Sequence, residues 1–94
     1  MSTIGMFSIY DSKANEYLQP FYAKNYESAK RYLVSSLKSD SLLVQYPSDY
    51  DFYFLGDFDN ETGSLRPELV RLASLRELVP DSLRQYSLDG SFKD

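Results

Sequence analysis

Residues 46–63, YPSDYDFYFLGDFDNETG, constrain this chain more than any other stretch. Tyr46, Tyr50, Phe52, Tyr53, Phe54 and Phe58 are interleaved with Asp49, Asp51, Asp57, Asp59 and Glu61, and no Lys or Arg intervenes. Aromatic density of this kind makes either a strand of a packed core or a platform on which flat ligands stack. Carboxylates repel phosphates, so a nucleic-acid platform and an acidic strand are opposed readings. Side-chain alternation favours the strand. Tyr50, Phe52, Phe54 and Phe58 share one parity, while Asp51, Tyr53 and Asp57 take the other, which predicts a core strand over 50–58. Gly56 interrupts the pattern and marks a bulge, and Asp59 to Gly63 is turn chemistry.

The flanking segments supply partners for that strand. Residues 6–12 are rich in β-formers and run into a turn at Asp11-Ser12; residues 17–24 read as a second strand, with Pro20 demoting it to an edge or a bulge. Together they predict an N-terminal hairpin. Asn25 is a good N-cap and Glu27 suits a first helical turn, which predicts a helix over 25–38 with an apolar stripe of Tyr26, Ala29, Leu33 and Leu37. Leu42 to Val44 reads as a short strand or a packed loop. Pro67 fits the first position of a second helix, and the ladder Leu65, Leu69, Leu72, Leu75, Val79 and Leu83 predicts a C-terminal helix over 67–78, ended by Pro80. The expected fold is α+β: a small antiparallel sheet (the hairpin plus strand 50–58) packed by helix 25–38, with that C-terminal helix, in a single domain of 94 residues whose ends, 1–5 and 86–94, are loose.

Composition narrows the chemistry. The chain has neither Cys nor His, which removes thiolate chemistry, disulfides, and the commonest general base and metal ligand near neutral pH. No enzyme and no cofactor are expected. No apolar run is long enough to span a membrane and MSTIGMFSIY lacks the form of a secretory signal, so a cytoplasmic location is expected. The formal charge is -4, but it is unevenly spread. Lys13, Lys24, Lys30, Arg31 and Lys38 outweigh Glu16 and Glu27, whereas Asp40 to Glu61 holds acids alone.

Several spellings have a bland and a functional reading. From Asp57, DFDNETGSLRPE spaces its acids as a calcium loop does, but Thr62 stands where such a loop needs glycine and no helix precedes it, so a hairpin turn is favoured. Asp57 and Asp59 lie in a solvated turn with no nucleophile beside them. Asn60-Glu61-Thr62 is a glycosylation sequon by spelling only. Phe7, Phe52, Phe54 and Phe58 are expected in the core. Tyr10, Tyr17, Tyr22 and Tyr53 divide evenly between core and stacking surface, because their strands have a polar parity to spare. The Arg-Leu ladder of 65–84 is either a cover for an open sheet or a dimer contact.

Residues 6–33 and 46–63 resemble the small nonstructural protein of microviruses, in particular the gokushovirus branch. The likeness rests on Phe7-Ser8-Ile9-Tyr10-Asp11-Ser12-Lys13-Ala14, Pro20-Phe21, Ala29 with Arg31, Tyr46-Pro47, Asp49-Tyr50, Leu55-Gly56, Phe58-Asp59 and Thr62-Gly63. The resemblance implies a protein of the bacterial host cytoplasm that binds single-stranded DNA or plays a packaging (protein C-like) role in the switch from genome replication to packaging. The residues expected to meet DNA are Tyr10, Lys13, Tyr17, Tyr22, Lys24, Lys30, Arg31 and Lys38, in a homodimer. The alternative is a protein–protein adaptor that contacts the replication initiator or the procapsid without touching DNA.

Overall fold

The computed structural model describes residues 2–84, with only the backbone of Arg84; the expected tail 86–94 lies outside the described residues. The framework is an antiparallel sheet. Strand β1 (Thr3–Asp11) runs through its middle, flanked on one side by β4 (Tyr50–Asp59) and then β5 (Leu65–Ser74). Two short strands, β2 (Glu16–Tyr17) and β3 (Phe21–Ala23), share its other side. Leu18, Gln19 and Pro20 separate them, as Pro20 demanded: with no N–H to give, it cannot continue a ladder. Thr3, Ile4 and Gly5, expected in a loose end, are instead paired with Asp59, Phe58 and Asp57.

Helix α1 (Tyr26–Ser36) lies on one face of the sheet. Its start is set by Asn25, whose Oδ1 accepts the Ser28 N–H at 2.9 Å, and its stripe buries Ala29 and Leu33 against Phe7, Ile9 and Phe52. Leu42 to Val44 is neither strand nor loop but the start of a short helix, α2 (Leu42–Gln45); the Ser41 side chain accepts the Leu43 N–H and turns Val44 into the core. A 3-10 turn at Pro47–Asp49 leads into β4.

The α+β fold, its antiparallel sheet and the packed helix are as expected, and a helix stands near the C-terminus, but the helix is short. Residues 67–74 belong to β5, and helical turns begin only at α3 (Leu75–Leu78) and α4 (Asp81–Arg84). The ladder is therefore cut in two. Leu75 and Val79 are core, whereas Leu65 and Leu69 are each 62% exposed on a strand. The cause is tertiary: β4 offers a row of backbone partners, and a ten-residue strand matched to it at seven positions outweighs a weak helical preference.

Irregularities in pairing decide which side chains face where. Met6 pairs with Gly56 but Phe7 with Phe54, so Leu55 is an extra residue in β4. Gly56 has φ +142°, and a Cβ there would come within 2.2 Å of the Arg66 carbonyl oxygen. Because successive residues alternate, one extra residue reverses the faces of everything after it. Phe54, opposite Phe7, stays on the helix side. Phe58, opposite Ile4, crosses to the other side, so its expected core position is overturned. Asp57 and Asp59, opposite Gly5 and Thr3, turn to the helix side.

Candidate nucleic-acid interface

Among the described residues, all four helices contribute to one core on the Phe7–Phe52 side, and the reverse face of the sheet carries no helix. That open face is aromatic. Tyr10 of β1 is paired with Tyr17 of β2, their ring centroids 4.8 Å apart. Tyr53 of β4 completes the cluster, 6.1 Å from Tyr10 and 5.4 Å from Tyr17. Near the other end of β1, Tyr22 of β3 meets Phe58 edge to face at 6.1 Å. Tyr17 is 41% and Tyr22 54% exposed, so both rings are accessible. Loss of water and then the neighbouring Tyr53 and Tyr10 hold the Tyr17 hydroxyl above its ordinary value, so it stays neutral at neutral pH.

The hairpin turn below the cluster is built by side chains. Asp11 Oδ1 accepts the N–H groups of Lys13 and Ala14, and Asn15 takes a left-handed conformation with its Oδ1 accepting the Tyr10 hydroxyl at 3.1 Å. These contacts fix the Tyr10 ring at its polar tip. Ser8, fully buried between the rings' strands, donates to the Leu18 carbonyl at 2.6 Å and so satisfies its one buried hydroxyl.

Charge on this face is sparse. Of the β4 carboxylates only Asp51, opposite Tyr10, falls on the open parity. Its Oδ1 accepts from Arg71 Nη2 at 3.0 Å, and Arg71 stands opposite Tyr53. That bond, more than the weaker pull of Glu77, holds the guanidinium above its ordinary pKa, and it offsets the charge of Asp51, the one β4 carboxylate on this face. Asp59, in the β4–β5 turn, accepts the Glu61 and Thr62 N–H groups. The calcium-like spelling is thus used as turn chemistry; among the described residues no three acids gather into a metal-holding group.

The eight expected DNA contacts fall into two layers. Tyr10, Tyr17 and Tyr22 share the open face. Lys13, in the β1–β2 turn, and Lys24, just after β3, stand at opposite ends of it. Lys30, Arg31 and Lys38 belong to α1 and the segment after it, on the other side of the sheet, with the Lys30 ammonium 5.9 Å from the Tyr26 ring centre. Sequence reasoning weighed Tyr53 for a stacking surface without placing it among the DNA contacts, and it missed Phe58 and Arg71 on this face. The signal for Phe58 was Gly56: a bulge there reverses the parity of every later residue.

Among the described residues no helix is long and apolar enough to cross a membrane. No solved structure matches the chain. In sequence, residues 4–78 match the family described as Phage ORF5 protein. Protein ORF5 of Chlamydia phage 1, a microvirus, is 38% identical over 84 residues, covering 81% of this chain and 88% of that protein. The chain belongs to the Phage ORF5 protein family and is a small microvirus protein.

Proposed function

We propose that this protein is a non-enzymatic phage accessory factor that binds single-stranded DNA through the open sheet face and supports the switch from genome replication to packaging. One observation carries the DNA reading: Tyr10, Tyr17, Tyr53, Tyr22 and Phe58 share a face that carries no helix among the described residues and whose one β4 carboxylate is paired with Arg71. Unpaired bases stack on such rings whatever their sequence, each contact being worth about 1–3 kcal/mol. Bases inside a duplex present no free face, so the preference is for single strands. The replication-to-packaging role rests on the microvirus resemblance, since a phage with a single-stranded genome must hold new strands out of duplex synthesis.

Fluorescence anisotropy with a labelled oligothymidine tests the reading. Single strands bind, duplex of the same length binds far less, and Tyr17→Ala with Tyr22→Ala together weakens binding at least tenfold. Absence of binding even at low salt overturns the DNA reading and leaves the adaptor role, for which the exposed Leu65 and Leu69 of β5 supply apolar surface.

A further inference from the structure

The aromatic residues of the open face are not evenly spread. Tyr10, Tyr17 and Tyr53 form one group, Tyr22 and Phe58 another, and no ring contact joins the two among the described residues. Tyr53 stands opposite Ser8 and Tyr22 opposite Met6, so the two groups meet at neighbouring levels of β1, where Met6 and Gly56 carry neither ring nor charge. The register sets the separation. Tyr17 is opposite Tyr10, Tyr22 opposite Met6 and Phe58 opposite Ile4. Tyr53 is opposite Ser8, so at about 3.3 Å per strand residue the nearest levels of the two groups are about 7 Å apart along β1, while Tyr22 lies about 13 Å along from Tyr17 and Phe58 about 13 Å along from Tyr53.

We infer that the face is a two-station site, in which one single strand stacks bases at both aromatic groups and crosses the step between them. This rests on the DNA reading and sets the length of its ligand. At a rise of about 3.4 Å per nucleotide, the matching rings of the two stations are about four steps apart, and fewer for an extended strand. A dinucleotide therefore occupies one station, and an octanucleotide reaches both. The charges suit a nucleic acid as occupant. Asp51 is neutralised, Asp57 and Asp59 are turned to the other side, and Lys13 and Lys24 stand where the strand enters and leaves. A second copy of the chain would bring the same two lysine-flanked ends against each other. Two linked stations convert the second contact into an intramolecular one, so affinity rises steeply once the strand is long enough and then levels off.

The test is anisotropy with dT2, dT4, dT6, dT8 and dT16 on the full chain at one salt concentration, with sedimentation on the same samples. For the unaltered protein, affinity rises at least tenfold from dT2 to dT8 and less than threefold from dT8 to dT16. In Tyr22→Ala and in Tyr17→Ala, dT2 binding stays within about threefold of the parent while the rise to dT8 is lost. Both positions are exposed, and an unchanged circular dichroism spectrum checks the fold. Variants whose curves run parallel to the parent at every length overturn the two-station inference but keep DNA binding. No binding at any length overturns both. So does a dimer that both substitutions dissolve in the absence of any oligonucleotide binding, since a second copy then covers the face.

Discussion

Two glycines with positive φ have different reasons to be glycine. At Gly56 a side chain is barred by space as well as by conformation, because its Cβ would strike the Arg66 carbonyl and the Pro67 Cα. Gly63, with φ +80°, has nothing within 4 Å of that position. Gly63→Asn is therefore tolerated, since asparagine adopts the left-handed region readily. Gly56→Ala meets a backbone strain of about 1–3 kcal/mol with the clash added to it. Urea midpoints compare the two: a Gly56→Ala midpoint equal to that of the parent overturns this account of the bulge. Tyr50 gives a pH signature at the same scale. Burial, then Asp11 and Asp49, push its hydroxyl above the ordinary value of 10.0. The folded state holds the proton more tightly than the unfolded one, so stability is intact below the unfolded pKa and is lost as pH rises through the folded pKa. Tyr50→Phe removes the titrating group and flattens the alkaline fall in stability, measured as urea midpoints from about pH 8 to pH 11. A fall equally steep in both proteins assigns it to another group.

At the scale of elements, β4 was legible because its aromatic alternation is strong and its ends carry turn residues, and α1 because Asn25 and the Ala29–Leu33 stripe agree. The face of Phe58 was not legible. Alternation assigns faces only until an extra residue intervenes, and although Gly56 signals a bulge, the parity assigned to Phe58 is the one that holds before it. The reading of β5 failed for a different reason. Leu65, Leu69 and Leu72 stand at helical spacing, but half of that stripe has no core to face, and hydrogen bonds to β4 fix the backbone first. Edge status explains another residue of this strand. Pro67 has no N–H to give, and the Arg66 carbonyl oxygen just before it is directed at Gly56, 2.2 Å from where a Cβ would be, so across that peptide the Pro67 nitrogen points the other way. It therefore faces the edge of β5 that carries no strand among the described residues, and blunts it against a further one. Pro67→Thr restores an outward N–H between exposed Leu65 and Leu69, and we expect concentration-dependent self-association by sedimentation. A variant that stays as monodisperse as the parent removes the protective role from Pro67.

Across the whole molecule, the puzzle of an acidic chain with an aromatic face resolves into a separation of layers. The bulge in β4 sends Asp57 and Asp59 to the helix side and Phe58 to the open side, and Arg71 cancels Asp51. The net charge of -4 is thus not the charge a strand on the tyrosines would meet. Two consequences separate this arrangement from binding through a basic patch. First, few phosphates are neutralised. With Lys13 and Lys24 as the flanking cations, the logarithmic salt slope for a single strand is about -1.4, at roughly -0.7 per phosphate. Lys13→Ala with Lys24→Ala brings it close to zero, while Lys30→Ala with Arg31→Ala, in the helix layer, leaves it unchanged. A slope several times steeper, abolished by the helix pair, puts the DNA on the other side of the sheet. Second, the face depends on the ion pair being intact. Arg71→Ala bares Asp51 next to Tyr10 and weakens single-strand binding, and Asp51→Asn in the same chain restores it. If the double variant binds no better than Arg71→Ala alone, Arg71 touches the nucleic acid itself instead of masking a carboxylate.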